Sequence, residues 1–125
     1  MKTRCTVAAM LAAGLLFASP ALAQTTEGAS APLTIVAELK AKPGKEKELR
    51  QALQALIEPT RHQPGNINYD MLVSNEDPGT IIFYENWRTK AEWEQHMKSS
   101  ILVEFAKEQP ELAQSWKLYQ MTRLP

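Results

Sequence analysis

Apolar and polar residues alternate along four segments of the chain, a pattern typical of strands that bury one face. The alternation runs over residues 33–40, 67–74, 80–88 and 116–124. The turn-forming run NEDPG at 75–79 separates the second and third segments, which indicates a hairpin. The pattern therefore predicts four strands, with the middle two joined directly.

Between the first two strands, apolar residues recur at helical spacing. The stripe consists of Leu49, Ala52, Leu53, Leu56 and Ile57. Pro59 follows it, and proline has no N–H and clashes with the preceding turn. We therefore expect this helix to kink or end at Pro59.

A second helical region follows the third strand. Thr89 and Glu92 have the spacing of a capping box, which predicts a helix start at Thr89. This helix would carry Trp93, His96 and Met97 on one stripe. Two serines at 99–100 interrupt this helix. A further apolar stripe over 101–106 predicts another helix, which we expect Pro110 to bend or divide.

The resulting order is β-α-β-β-α-β, which defines an α+β fold of the ferredoxin-like, split βαβ type. In this fold, the helices cover one face of a four-stranded antiparallel sheet. The other face would carry Val36, Leu72, Ile82, Tyr84, Tyr119 and Met121. Because so much apolar surface is unusual on a monomer, we expect a homodimer that packs through the open sheet face.

The first 23 residues have the features of a signal peptide. Lys2 and Arg4 precede an apolar run over 7–18, which is too short to span a bilayer. Ala21 and Ala23 then form a small-x-small cleavage site. We expect cleavage after Ala23, a periplasmic or secreted protein with no membrane association afterwards, a flexible leader over 24–32, and a folded domain over 33–125.

Charge and composition exclude several classes of function. The 125 residues contain 14 Lys and Arg against 14 Asp and Glu, and this balance argues against nucleic-acid binding. The single cysteine, Cys5, lies in the predicted signal peptide, and the two histidines lie far apart. Neither a metal-ligand motif nor a glycine-rich phosphate loop is present, so we expect no metal and no nucleotide or flavin cofactor.

One group of residues can support chemistry. Glu85 and Trp87 lie at the end of the third strand, and His96 lies on the apolar stripe of the next helix. A carboxylate and an imidazole between sheet and helix can act as a base and its orienting partner. A core histidine satisfied by a nearby acid explains the same residues. Trp87 and Trp93 can likewise be core aromatics or the walls of a substrate pocket, and Tyr69 can hydrogen-bond into that pocket or pack there.

Four short motifs occur in order along the folded region. They are Pro64-Gly65-x-x-x-Tyr69, Asp77-Pro78, Glu85-x-Trp87 and His96-x-x-Ser99. This ordered set resembles the antibiotic biosynthesis monooxygenase family over nearly the whole mature chain. The resemblance implies a dimeric α+β barrel. It also implies an enzyme that oxidises quinols or polycyclic phenols with O2 and needs no metal, haem or flavin.

The resemblance supports Tyr69, Glu85, Trp87 and His96 as pocket positions. Triplet O2 reacts slowly with a closed-shell phenol until the phenol loses its proton and can donate an electron. We expect His96 to take this proton, with Glu85 orienting it or stabilising the imidazolium. Because histidine has a reference pKa of about 6.5, the rate should then rise with pH through that range.

Two other functions remain open at this stage. Haem-degrading relatives of this fold place a haem-ligating histidine in the region that corresponds to residues 101–108, which here reads ILVEFAKE. The other alternative is a non-catalytic periplasmic dimer that binds a small aromatic ligand. Aerobic turnover of quinols distinguishes this module from the enzyme, and a Soret band on haem titration would identify the haem-binding relative.

Overall fold

The computed structural model describes residues 31–125. The predicted signal peptide at 1–23, and the part of the predicted leader before residue 31, lie outside the described residues. None of the helices within 31–125 is both long and apolar enough to cross a membrane.

Four strands and four helices follow one another along the chain. They are β1 (Leu33–Ala41), α1 (Glu46–Gln54), α2 (Ile57–Arg61), β2 (Asn66–Val73), β3 (Thr80–Trp87), α3 (Lys90–Met97), α4 (Ser100–Leu112) and β4 (Ala113–Met121). The strands form one antiparallel sheet in the order β2-β3-β1-β4. This topology confirms the predicted ferredoxin-like split βαβ fold.

The central strand β3 places a carboxylate in the core. Ile81, Phe83, Glu85 and Trp87 are all buried, and they alternate with partly exposed residues on the other face. Glu85 lies opposite Ile35 of β1 on one side and Tyr69 of β2 on the other. Three of the four residues on this face are the apolar side chains that drive burial, so Glu85 is carried into the core with them.

The two helical prolines behave differently from the sequence prediction. The break near Pro59 comes earlier than expected, because α1 ends at Gln54 and a short α2 begins at Ile57. Pro59 is the third residue of α2, where a backbone N–H would have no helical partner anyway. Pro110 does not divide α4, which continues to Leu112.

Thr89 caps α3 as predicted, although the Glu92 carboxylate accepts from the Thr89 hydroxyl and not from its backbone N–H, as it would in a capping box. The Thr89 hydroxyl accepts the Glu92 backbone N–H at 3.2 Å and donates to the Glu92 carboxylate at 3.0 Å. From this start, Trp93 and His96 fall one turn apart, and both are buried against the sheet. The cap therefore sets which side of α3 faces the core.

The second sheet face is not covered by any element within residues 31–125. Leu72, Tyr119 and Met121 are about half exposed there, at 53%, 46% and 47%. Val36 of β1 lies between Tyr84 and Tyr119, so the apolar residues are continuous across three strands. The sequence-based description of this face is therefore correct.

Candidate active site

A cavity of about 300 Å³ lies between the helices and the inner face of the sheet. Apolar side chains from α1, α3, α4 and all four strands make up most of its wall. The titratable residues that line it are Glu38, Tyr69, Glu85, His96 and Lys117, although strand alternation puts the side chains of Glu38 and Lys117 on the other sheet face, with Val36 and Tyr119. Of these, Tyr69, Glu85 and His96 are buried, and their chemistry decides what the cavity can do.

Glu85 is 4% exposed, and the indole N–H of Trp87 donates to its Oε2 at 2.9 Å. Burial penalises the charged carboxylate and raises the pKa of Glu85 to about 7, although the indole hydrogen bond acts in the opposite direction. The carboxyl group therefore changes charge near neutral pH, which is where a general base is most useful.

His96 is held on several sides. Its ring packs against Trp87 at a tilt of 33° with centroids 4.8 Å apart, and it meets Tyr69 edge-on at 5.5 Å. Its Nδ1 lies 2.7 Å from Oε1 of Gln63. An amide oxygen only accepts hydrogen bonds, so with the Gln63 amide in this orientation Nδ1 carries the proton and Nε2 keeps its lone pair. Burial lowers the pKa of His96 to about 4, and the imidazole is therefore neutral at pH 7.

Tyr69 supplies a neutral phenol to the same cavity. Its ring is 3% exposed and packs on Phe83 with centroids 4.6 Å apart. Burial raises the pKa of Tyr69 well above its ordinary value, the Glu85 charge raises it further, and the Thr60 hydroxyl acts in the opposite direction. Tyr69 therefore keeps its proton and can act as a hydrogen-bond donor.

The structure brings Glu85 and His96 to one cavity but does not pair them. The structure contains no hydrogen bond between these two side chains, and Trp87 connects them by bonding to Glu85 and stacking on His96. Glu85 therefore does not orient the imidazole through a direct hydrogen bond, and Gln63 is the hydrogen-bond partner of His96, whereas the expected stabilisation of the imidazolium by Glu85 stays a prediction. The expected pH range for His96 is also displaced, from about 6.5 to about 4.

The two tryptophans lie behind the cavity. Trp87 is fully buried and Trp93 is 7% exposed, and neither is part of the cavity wall. Trp87 acts on the site through Glu85 and His96, whereas Trp93 belongs to the core cluster. The aromatic residue at the open side is Trp116 of β4, which is 59% exposed and which the sequence analysis treated only as part of a strand.

Gln63 reaches His96 because its loop is fixed to the molecule at both ends. The Gln63 N–H donates to the Thr60 carbonyl at 2.9 Å, and the Arg88 N–H donates to the Gly65 carbonyl at 2.8 Å. Gly65 has φ of 81°, and a Cβ there would overlap the Glu92 side chain. In the sequence, only Pro64-Gly65 indicates this loop. Nothing in the sequence pattern predicts that Gln63 contacts His96, which lies 33 positions further along the chain.

The structure gathers no cluster of metal ligands within residues 31–125, and residues 101–108 present no haem ligand to the cavity. Within residues 31–125, no group of three or more His, Cys, Asp or Glu side chains is placed to hold a metal ion. The α4 segment that corresponds to the haem-ligating region faces the cavity with Leu102, Val103, Phe105 and Ala106. These side chains have no nitrogen or oxygen with which to ligate iron.

The fold and the site define a small α+β protein with a mainly apolar cavity and three buried titratable groups. The profile of the antibiotic biosynthesis monooxygenase family matches residues 32–108, more than half of the chain. The chain belongs to this family, as the resemblance implied.

Individual proteins agree with this assignment. A match to Synechocystis sp. protein sll1783 is 33% identical and covers 78% of this chain and 66% of that protein, just under two thirds of its length. Rv0793 of Mycobacterium tuberculosis, which is named as a candidate monooxygenase, is 30% identical over 56% of this chain and 68% of its own length. The crystal structure of PA3566 from Pseudomonas aeruginosa superposes with a TM-score of 0.75 at 32% identity, covering 78% of this chain and 99% of that one.

Proposed function

We propose that this protein is a cofactor-independent monooxygenase that oxidises a small quinol or phenol with O2. The observation that carries the proposal is the placement of Glu85, whose pKa lies at about 7, in the wall of a mainly apolar cavity of about 300 Å³. Such a cavity accepts an aromatic ring, and the carboxylate can remove the proton that makes the ring reactive towards O2. The family assignment supports the same class of reaction.

The relative basicities favour Glu85 as the base. A carboxylate with a pKa of about 7 is a stronger proton acceptor than an imidazole with a pKa of about 4. The difference of about 3 units corresponds to about 4 kcal/mol in the cost of taking the substrate proton. In this proposal, His96 uses Nε2 to accept a hydrogen bond from a substrate hydroxyl, and the neutral Tyr69 phenol donates one to a ring oxygen.

The reaction balances with the substrate as the only reductant. Glu85 takes one hydroxyl proton, and the resulting phenolate gives an electron to O2. A carbon–oxygen bond then forms between the ring and the reduced oxygen, and the O–O bond breaks. A quinol plus O2 becomes a hydroxyquinone plus water, and the proton held by Glu85 leaves with the departing oxygen. The aromatic and aliphatic walls keep other water away from the intermediates.

The test is oxygen uptake by the purified mature protein with hydroquinones, catechols and naphthols, repeated under 18O2. We expect each turnover to consume one O2 and to place one labelled oxygen in the product. Glu85→Gln, which removes the base while keeping the shape of the side chain, should lose most of the activity. A chelator should leave the rate unchanged.

Binding without turnover would contradict the proposed enzyme and favour the non-catalytic module for small aromatic ligands, which the same apolar cavity also suits. Uptake that produces hydrogen peroxide and no labelled product would contradict the monooxygenase reaction. A Soret band on titration with haem would instead favour the haem-binding relative.

We also propose an assembly and a location. Two copies would pack through the open sheet face, because apolar residues continue across β1, β3 and β4 there. The mature protein would act in the periplasm or outside the cell, since residues 1–23 have the features of a signal peptide.

A further inference from the structure

We infer that Gln63 is a positioning residue, which holds the His96 imidazole in the Nδ1–H tautomer so that Nε2 is kept as an acceptor towards the cavity. The contact that carries this inference is the 2.7 Å approach of His96 Nδ1 to Gln63 Oε1. The role of Nε2 towards a substrate hydroxyl rests on the proposed function. The control of the His96 tautomer by Gln63 does not depend on the proposed function.

The position of Gln63 shows which edge of the imidazole it occupies. His96 separates the inner cavity from an outer one of about 220 Å³, and Gln63 lines only the outer one. Nδ1 is therefore bound on the outer side of the ring. The remaining polar atom, Nε2, is left for the inner cavity, in which Glu85 and Tyr69 also lie.

The identity of the side chain at position 63 decides the tautomer. A neutral imidazole carries its proton on either nitrogen, and the hydrogen bond made by one nitrogen sets the role of the other. While the Gln63 amide presents its oxygen to the ring, Nδ1 must carry the proton, whereas an apolar side chain would leave both forms open. In the Nε2–H form, His96 would donate into the cavity and could not accept from a hydroxyl.

The surroundings keep the ring from turning away from Gln63. Trp87 stacks on the imidazole at 4.8 Å, and Tyr69 meets it edge-on at 5.5 Å. The backbone of Gln63 is tied to Thr60 through a hydrogen bond of 2.9 Å. The imidazole ring and the backbone of Gln63 are thus held before a ligand arrives, which favours precise positioning.

The tautomer can be read directly by NMR with 15N-labelled histidine. The whole chain contains two histidines, so a His62→Gln background leaves His96 as the one signal. We expect a protonated Nδ1 and an unprotonated Nε2 at neutral pH. Gln63→Leu should shift the signal towards the Nε2–H form. Gln95→Leu is the matched control, because Gln95 lines the same outer cavity without bonding to His96, and it should leave the tautomer unchanged.

Gln63→Glu provides a second variant that does not depend on Gln63→Leu being folded. A carboxylate at position 63 still accepts from Nδ1, so the tautomer should be kept, while the added charge should raise the pKa of His96 by about 1–3 units. The other titratable groups around His96, which are Glu85, Tyr69 and Glu92, are the same in every variant. The pKa shift therefore reports on position 63.

Kinetics test the link to the reaction. Gln63→Leu should raise KM for the quinol about 5- to 10-fold with a smaller effect on kcat, and Gln63→Glu should restore KM towards the wild-type value. An unchanged His96 tautomer in Gln63→Leu, or an unchanged His96 pKa in Gln63→Glu, would overturn the inference. If the tautomer changes as expected but no quinol is oxidised even by the wild type, the positioning role stands and the proposed function fails.

Discussion

Trp87 donates its indole N–H to the carboxylate of Glu85 at 2.9 Å, although the two residues are only two positions apart on one strand. Both side chains point to the same face of β3, so the bond forms within the strand rather than between elements. The same indole stacks on His96. A single aromatic side chain thus sets the position of both groups that we place in the reaction.

The burial of Glu85 should be visible in the pH dependence of stability. Its pKa is raised from 4.5 to about 7 in the folded state, so the folded protein binds more protons than the unfolded chain between these values. Stability from this group is therefore present below pH 4.5 and is lost as pH rises through 7. Glu85→Gln cannot ionise. Its free energy of unfolding should therefore rise relative to that of the wild type by about 3 kcal/mol as the pH increases from 4.5 to 7.

Urea denaturation of both proteins at several pH values measures this difference. His96, whose lowered pKa makes its contribution fall as pH drops from 6.5 towards 4, has the opposite slope in both proteins and cancels in the comparison. A constant difference between wild type and Glu85→Gln from pH 4.5 to 7.5 would show that burial does not raise the pKa of Glu85.

The pH dependence of the rate should identify the base. If Glu85 takes the proton, kcat/KM rises with pH through about 7, where the carboxyl ionises. Glu85→Gln should lower kcat/KM by about 10²- to 10⁴-fold, the usual value of general-base catalysis, and should flatten the profile.

His96→Ala separates the two candidate bases. It removes a hydrogen-bond acceptor, so it should lower kcat/KM by about 10-fold and keep the rise through pH 7. The control is His62→Ala, since His62 is exposed and bonds only to the Glu58 carbonyl. A loss of 10³-fold or more in His96→Ala, with the pH profile abolished, would return the role of base to the histidine.

The open sheet face should hold the dimer together. Ile82→Asp places a carboxylate in the centre of this face, where the second copy would leave it buried and unpaired at a cost of about 3–5 kcal/mol. We expect the dimer dissociation constant to rise at least about 100-fold in analytical ultracentrifugation. Gln51→Asp adds the same charge on the exposed side of α1 and should not change it. A wild-type protein that is monomeric at micromolar concentration would contradict the dimer.

Export should remove the first 23 residues. Mass spectrometry of the protein from the periplasm or medium should find an N-terminus at Gln24. Ala23→Tyr places a large side chain in the small-x-small site and should prevent this cleavage. An intact Met1 in the wild type, or retention in the membrane, would contradict the proposal.

Local patterns were sufficient for the secondary structure and for much of the topology. The alternation in β3 and the Thr89 cap depend on neighbours within four residues, and both occur as predicted. The helix break near Pro59 was misplaced, because the interruption falls before the proline and not at it. The alternation over 67–74 predicts Ile67 on the same face as Tyr69, but a register shift between Asn66 and Asn68 accompanies an exposure of 56% at Ile67.

The sequence by itself determined the order of the elements and the buried row of β3, because side-chain periodicity is a local property of the chain. The tertiary structure alone decided which residues touch. It bonds Glu85 to Trp87, gives His96 a partner in Gln63 from a distant loop, and moves the pKa values of Glu85 and His96 in opposite directions. Contacts between distant segments and the loss of water around a charge arise only when the chain is folded, so no spacing along the sequence could show them.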